Sequence, residues 1–137
     1  MKLTTKGRYA VMAMADLASN SKKKPISLTE ISLRQNISLS YLEQLFLKLK
    51  KGSLVKSVRG SSGGYTLVKP ASEINLSNII FAVDETVKTL NCKKESKRGC
   101  NHRNIKCITH NLWDDLDRHI NSFFEKKKLE DLINKNI

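Results

Sequence analysis

The chain has 137 residues, with 25 Lys/Arg against 13 Asp/Glu, a net charge of +12 and three cysteines. That length fits one ordinary domain with a modest core, the odd thiol count argues against a disulfide framework, and no apolar run approaches the roughly 18 to 20 residues of a membrane span. The charge is uneven: residues 1–70 hold 13 Lys/Arg and 3 Asp/Glu, a net of +10, whereas residues 71–137 hold 12 and 10, a net of +2. Such a balance fits nucleic acid, an anionic surface or an acidic partner, or simply a solubilising surface. The polar start of the chain shows no signal peptide, so a cytoplasmic protein with reduced thiols is expected.

Leu3, Ala10, Val11, Met14, Leu17 and Ala18 recur at helical spacing and predict an amphipathic helix over 3–20. Two S-x-x-E patterns follow, Ser27 with Glu30 and Ser40 with Glu43. Each reads as a capping box, in which the hydroxyl accepts from a first-turn N–H and the carboxylate reaches back to the cap. The first opens a short helix over 28–35, closed by Asn36, which tolerates a left-handed backbone. The second opens a helix running to about Lys51, ended by Gly52, with a buried stripe of Leu42, Leu45, Phe46 and Leu49. Short helix, tight turn and longer helix make a helix-turn-helix pattern, although any antiparallel helix pair would share it. The strand candidates 54–59 and 65–68, joined across Gly60-Ser61-Ser62-Gly63-Gly64, add a hairpin placed as a wing. Residues 1–70 thus read as a winged helix-turn-helix.

Residues 71–91 read as a connector, with Ile74, Leu76, Ile79, Ile80 and Val83 on a short helix over 77–85. Residues 86–107 carry seven Lys/Arg and one Glu with little periodicity. From about Thr109 the helical pattern returns. Leu112, Trp113, Leu116, Ile120, Phe123 and Phe124 line one side, and Leu129, Leu132 and Ile133 mark a last short helix. The expected fold is mostly α with a small β-hairpin wing and C-terminal helices over 109–137, the first of them long. That helix carries more apolar surface than a small module needs, and DNA readers of this kind usually work as two-fold dimers, so those six residues are its expected dimerisation face.

All three cysteines fall within one short stretch, after 91 residues without a thiol: Cys92, Cys100, Cys107 and then His110, spaced C-x7-C-x6-C-x2-H over the segment 92–110. Thiolates and an imidazole so grouped can converge on one metal centre. On ligand types alone this Cys3His set is a common zinc site, and a cluster site is the alternative. His102 is a second candidate histidine, while His119 falls on the long helix as a packing or surface residue.

On the DNA side, Tyr41, Glu43, Gln44 and Lys48 lie off the buried stripe. Gln44 can pair with adenine, and Ser40 with a base edge or a phosphate; Ser38 precedes it in the turn. Arg8, Lys51, Lys56 and Arg59 are expected on phosphates, with Gly60 and Ser61 at the wing tip, so binding should weaken with salt. Glu43 reads first as a capping residue; facing DNA it would set site preference rather than affinity.

The chain resembles the IscR-type regulators, the iron–sulfur cluster assembly branch of a bacterial winged-helix family. The resemblance is carried by Lys6-Gly7-Arg8-Tyr9-Ala10-Val11, by the run from Ile37-Ser38-Leu39 through Ser40-Tyr41-Leu42-Glu43-Gln44-Leu45-Phe46, by Ser57-Val58-Arg59-Gly60 with Gly63-Gly64-Tyr65, by Ala82-Val83-Asp84-Glu85, and by Cys107-Ile108-Thr109-His110 with Leu112-Trp113. It implies a homodimeric, cytoplasmic, nucleoid-associated repressor and no enzyme. It also implies a [2Fe–2S] cluster on Cys92, Cys100, Cys107 and His110, in place of zinc, delivered by cluster donor proteins, with double-stranded operator DNA as partner. The regulated genes would be those of cluster assembly, repressed when clusters are plentiful. The alternatives are a sibling regulator sensing nitric oxide or redox stress through a similar cluster, and an iron–sulfur electron carrier, against which stand the wing, the basic N-terminal half and the lack of a fourth cysteine. Two departures stand out: the ligand loop is longer and Lys/Arg-rich, and Ser61-Ser62 replaces a Pro-Gly-like pair in the wing.

Overall fold

The computed structural model describes residues 4–21, 24–84 and 108–134. Helix α1 spans Thr5–Asn20, α2 Leu28–Gln35 and α3 Leu39–Lys51. An antiparallel pair follows, β1 (Val55–Val58) and β2 (Gly64–Leu67), in the register Val55↔Leu67 to Val58↔Gly64. A single 3₁₀ turn at Ala71–Glu73 leads to α4 (Leu76–Ala82), and α5 (His110–Lys126) and α6 (Leu129–Ile133) complete the described chain. The architecture is mostly helical with one two-stranded hairpin, as the periodicities predict.

The core forms where the apolar stripes meet. Ala10, Ala13, Met14 and Leu17 of α1 and Leu42, Leu45, Phe46 and Leu49 of α3 join one buried cluster with Ile31 of α2 and with Ile74, Ile79 and Val83. The stripe expected on α3 is the buried set of that helix. Asn36 takes the left-handed conformation at φ 55° and ends α2. At the end of α3 the left-handed residue is Ser53, φ 60°, while Gly52 stays at φ −77°.

The caps differ from the two boxes expected. Ser27 Oγ accepts from Glu30 N at 3.2 Å, but the Glu30 carboxylate lies 3.9 Å from the Lys24 ammonium. The second box is displaced. Ser38, not Ser40, caps α3, its Oγ accepting from Tyr41 N at 3.4 Å. The cause is local. Asn36 turns the chain, Ile37 is drawn into the core, and Ser38, at φ −55° and ψ 133°, is the residue that enters the helix. Ser40 and Glu43 therefore sit inside α3, and Glu43 has no capping duty.

A polar network crosses from α1 to α2. The Asp16 side chain, 1% exposed, accepts from Arg34 Nη2 at 2.7 Å and Nε at 2.9 Å and from Gln35 Nε2 at 2.8 Å. Burial alone would raise its pKa, but the bonds from Arg34 and Gln35, the Arg34 charge and Asn20 outweigh it and hold the carboxyl below its ordinary value.

The wing is seated on the segment before α2. Ile26 N donates to Tyr65 O at 3.0 Å and Tyr65 N returns a bond to Ile26 O at 2.8 Å. At the other end of the chain, Leu76 N donates to Lys127 O and Leu129 N to Ile74 O, both short, and Leu129 is fully buried. This clasp fixes the far end of α5 to the start of α4, and α6 packs on α1.

Candidate nucleic-acid interface and ligand segment

The outer side of α3 is set by what the core takes. With Leu42, Leu45, Phe46 and Leu49 turned inward, helical spacing places Ser40, Glu43, Gln44, Leu47 and Lys51 on the opposite side, and all five are exposed. Tyr41 and Lys48 form its half-buried margins. Ser38, Ser40, Tyr41 and Gln44 line an open cleft of about 530 Å³ with Thr5 and Tyr9 of α1. The Tyr9 and Tyr41 rings meet edge to face, centroids 5.9 Å apart, which fixes the cleft wall. Ser38 Oγ and Ser40 Oγ lie 3.0 Å apart, so two hydroxyls share the mouth of the helix.

Arg8 is exposed on α1, Lys56 on β1, and Arg59, Gly60 and Ser61 on the wing turn. Gly60 takes φ 117° and its carbonyl accepts from Gly63 N at 3.0 Å, so the turn closes tightly. Lys50 Nζ bonds Ser57 Oγ at 3.0 Å and braces the helix against β1. Ten of the twelve residues expected at DNA are exposed, and Tyr41 and Lys48 are half-buried. A surface with this many cationic and amide groups, on one helix and one wing, can hold phosphates and read base edges.

Two features of the surface escaped the sequence reading. Leu47 is 61% exposed in the middle of the polar side of α3; its place four residues after Glu43, off the buried stripe, was the available signal. Lys48 Nζ lies 3.1 Å from Asp84 Oδ2, with the side chains 38% and 72% exposed. No local pattern links residues so far apart in sequence.

Of the four expected ligands, His110 is described, as the first residue of α5, half-buried. Cys92, Cys100 and Cys107, with His102, lie outside the described residues. Trp113 Nε1 donates to Thr109 Oγ1 at 3.1 Å, which holds the first turn around His110. Along α5, Leu112, Leu116 and Phe123 form an exposed ridge with Trp113 beside it. Ile120 is half-buried and Phe124, at the edge of the same arc of the helix, packs against the core. Asp117, 1% exposed, also faces inward. Among the described residues no helix is long and apolar enough to cross a membrane.

Freed from capping, Glu43 presents a carboxylate on the outer side of α3. Glu43→Ala is expected to leave the thermal midpoint nearly unchanged and to broaden site preference, read by competitive binding to a panel of single-base variants. An unchanged ranking of those sites would count against this role.

The family model for Rrf2, described as iron-dependent transcriptional regulator, matches residues 3–135. The chain is 52% identical over 134 residues to the HTH-type transcriptional regulator IscR of Photorhabdus laumondii, covering 98% of this chain and 80% of that protein. The IscR of Yersinia pseudotuberculosis matches with the same identity and the same coverage. Among solved structures, T. potens IscR superposes with a TM-score of 0.79 at 33% identity, covering 100% of this chain and 89% of the other. CymR, the global cysteine regulator of B. subtilis, superposes with a TM-score of 0.82 at 30% identity and 98% coverage of both. These relatives are regulators and not enzymes, and the chain belongs to the Rrf2 family of transcriptional regulators.

Proposed function

We propose that the chain is a dimeric DNA-binding repressor of cluster-assembly genes, controlled by a [2Fe–2S] cluster on Cys92, Cys100, Cys107 and His110. The observation that carries this reading is the 52% identity to IscR regulators over nearly the whole chain, joined to a donor set that suits such a cluster. Three thiolates and one neutral imidazole fit an iron–sulfur centre, and a histidine in place of a thiolate raises the potential and leaves a weaker, protonatable ligand. When bound, the group would supply an occupancy that falls when iron–sulfur supply is short or oxidants are present. Cys3His also suits zinc, so metal identity is what the first experiment must decide.

This chain's residues would do the rest. His110 opens α5, the far end of α5 is clasped to α4, and α6 rests on α1. A shift of the ligand segment would therefore be felt by the DNA-facing module. The ridge of Leu112, Leu116 and Phe123 would pair with its copy in a second subunit, placing two α3 helices on paired half-sites.

Anaerobically purified protein is expected to show visible absorption bands with about two irons and two sulfides per chain and to sediment as a dimer. Replacing Cys107 with alanine should abolish the bands while the helical circular-dichroism signal stays. A colourless protein with one zinc per chain, retained after cluster reconstitution, would overturn the sensing role and leave DNA binding standing.

A further inference from the structure

We infer that Leu47 reads a thymine methyl group in the major groove and is a specificity-determining residue of this chain. The inference rests on the DNA-reading role proposed above for α3. A single exposed leucine needs no explanation in itself, because apolar atoms cover much of any protein surface. Its position is what carries the inference. Leu47 is four residues after Glu43, three after Gln44, seven after Ser40 and four before Lys51, so it occupies the middle of the outer side of a 13-residue helix. It is 61% exposed, and it is absent from the apolar residues packed against the core, which take up the other leucines of the buried stripe.

The chemistry of the groove narrows what such a residue can do. Base edges there display hydrogen-bond donors, acceptors and one apolar group, the C5-methyl of thymine. Ser40, Glu43 and Gln44 can exchange hydrogen bonds; Leu47 cannot. Set against a phosphate or a G·C edge, its isobutyl group would strip water from polar atoms and return no bond. Set against a thymine methyl, it removes apolar surface from water on both sides. Leu47 therefore selects for thymine and against cytosine at one position in each half-site. Lys51, one turn further along, and Lys50, braced on Ser57, flank that contact with positive charge.

The test uses duplexes enriched from a random-sequence pool by the full-length protein. Each thymine of the enriched half-site is replaced in turn by deoxyuracil, which removes the methyl group and leaves the pairing edge intact. At one position the exchange is expected to weaken wild-type binding about fourfold in one half-site and roughly fifteenfold when made in both. Leu47→Ala should bind the thymine and uracil duplexes at that position alike, while keeping its response to changes at other positions and the wild-type thermal midpoint. If no thymine is methyl-sensitive, or if Leu47→Ala loses the same factor as wild type, the assignment is wrong. If no sequence is ever enriched, the DNA-reading proposal itself fails, a different result from an enriched site that ignores the methyl.

Discussion

Gly64→Ala is expected to lower the thermal midpoint by about 10 °C, corresponding to roughly 3 kcal/mol or more in a chain of this size. The cause is a close approach of backbones. A Cβ at position 64 would press into the carbonyl carbon and oxygen of Ile26 and come within 2.8 Å of Ser27 N. Those atoms belong to the seat of the wing, where Ile26 and Tyr65 exchange two backbone hydrogen bonds, and Tyr65 in turn meets Phe46 of the core at 4.9 Å between ring centroids. No flexible side chain can move aside. Gly60 provides the internal control. A Cβ there meets nothing within 4 Å, but φ is 117°, so Gly60→Ala should cost only the conformational strain, about 1–3 kcal/mol. Melting curves followed by circular dichroism compare the two; equal shifts would mean that the wing is not held by this contact.

Asp16→Ala ranks second, with an expected loss of about 2 kcal/mol at neutral pH, because it removes the bonds to a buried carboxylate while the Arg34 side chain, 39% exposed, regains water. The pH dependence has a definite sign. The folded Asp16 pKa lies below its ordinary value, so the folded state prefers the carboxylate. The stability that this adds is fully present above the unfolded pKa of about 3.9. It is lost as pH falls through the lower, folded pKa. Denaturant titrations of wild type and Asp16→Ala should therefore show a constant gap from pH 5 to 7, in the range where the carboxylate is ionised in both states, and a narrowing gap below about pH 4. A gap independent of acid would show that the network acts by packing alone.

How much of this was legible depends on the distance over which each feature is decided. The stripe Leu42, Leu45, Phe46 and Leu49 is written at the helical period and is the buried set of α3. The hairpin followed from glycines between two β-prone runs, and Asn36 from its tolerance of φ 55°. The cap of α3 was misplaced because Ser38 and Ser40 both offer a hydroxyl, and only the pull of Ile37 into the core decides between them. The Asp16 network was invisible, since it joins residues 18 and 19 apart that look like ordinary surface polars. The burial of Asp117 was equally invisible: nothing in the pattern of α5 marks an acid that will be buried. The ligand set was legible as residue types and spacing alone; Cys92, Cys100 and Cys107 fall outside the described residues, and only His110 gains a place in the fold.

The Lys48–Asp84 pair has a thermodynamic consequence. Asp84 is the last described residue before the segment that holds the cysteines, and Lys48 lies on the margin of α3, the helix proposed above to face DNA. An exposed pair of this kind contributes at most about 1 kcal/mol, so a phosphate can take the ammonium from the carboxylate at little cost. The exchange is reciprocal by linkage. A duplex that engages Lys48 releases Asp84, and any change that draws Asp84 away returns the same factor, up to about fivefold per subunit, to the affinity for DNA. In the dimer proposed above, squared over two subunits, one weak surface contact would span about a 25-fold range in affinity for a paired site.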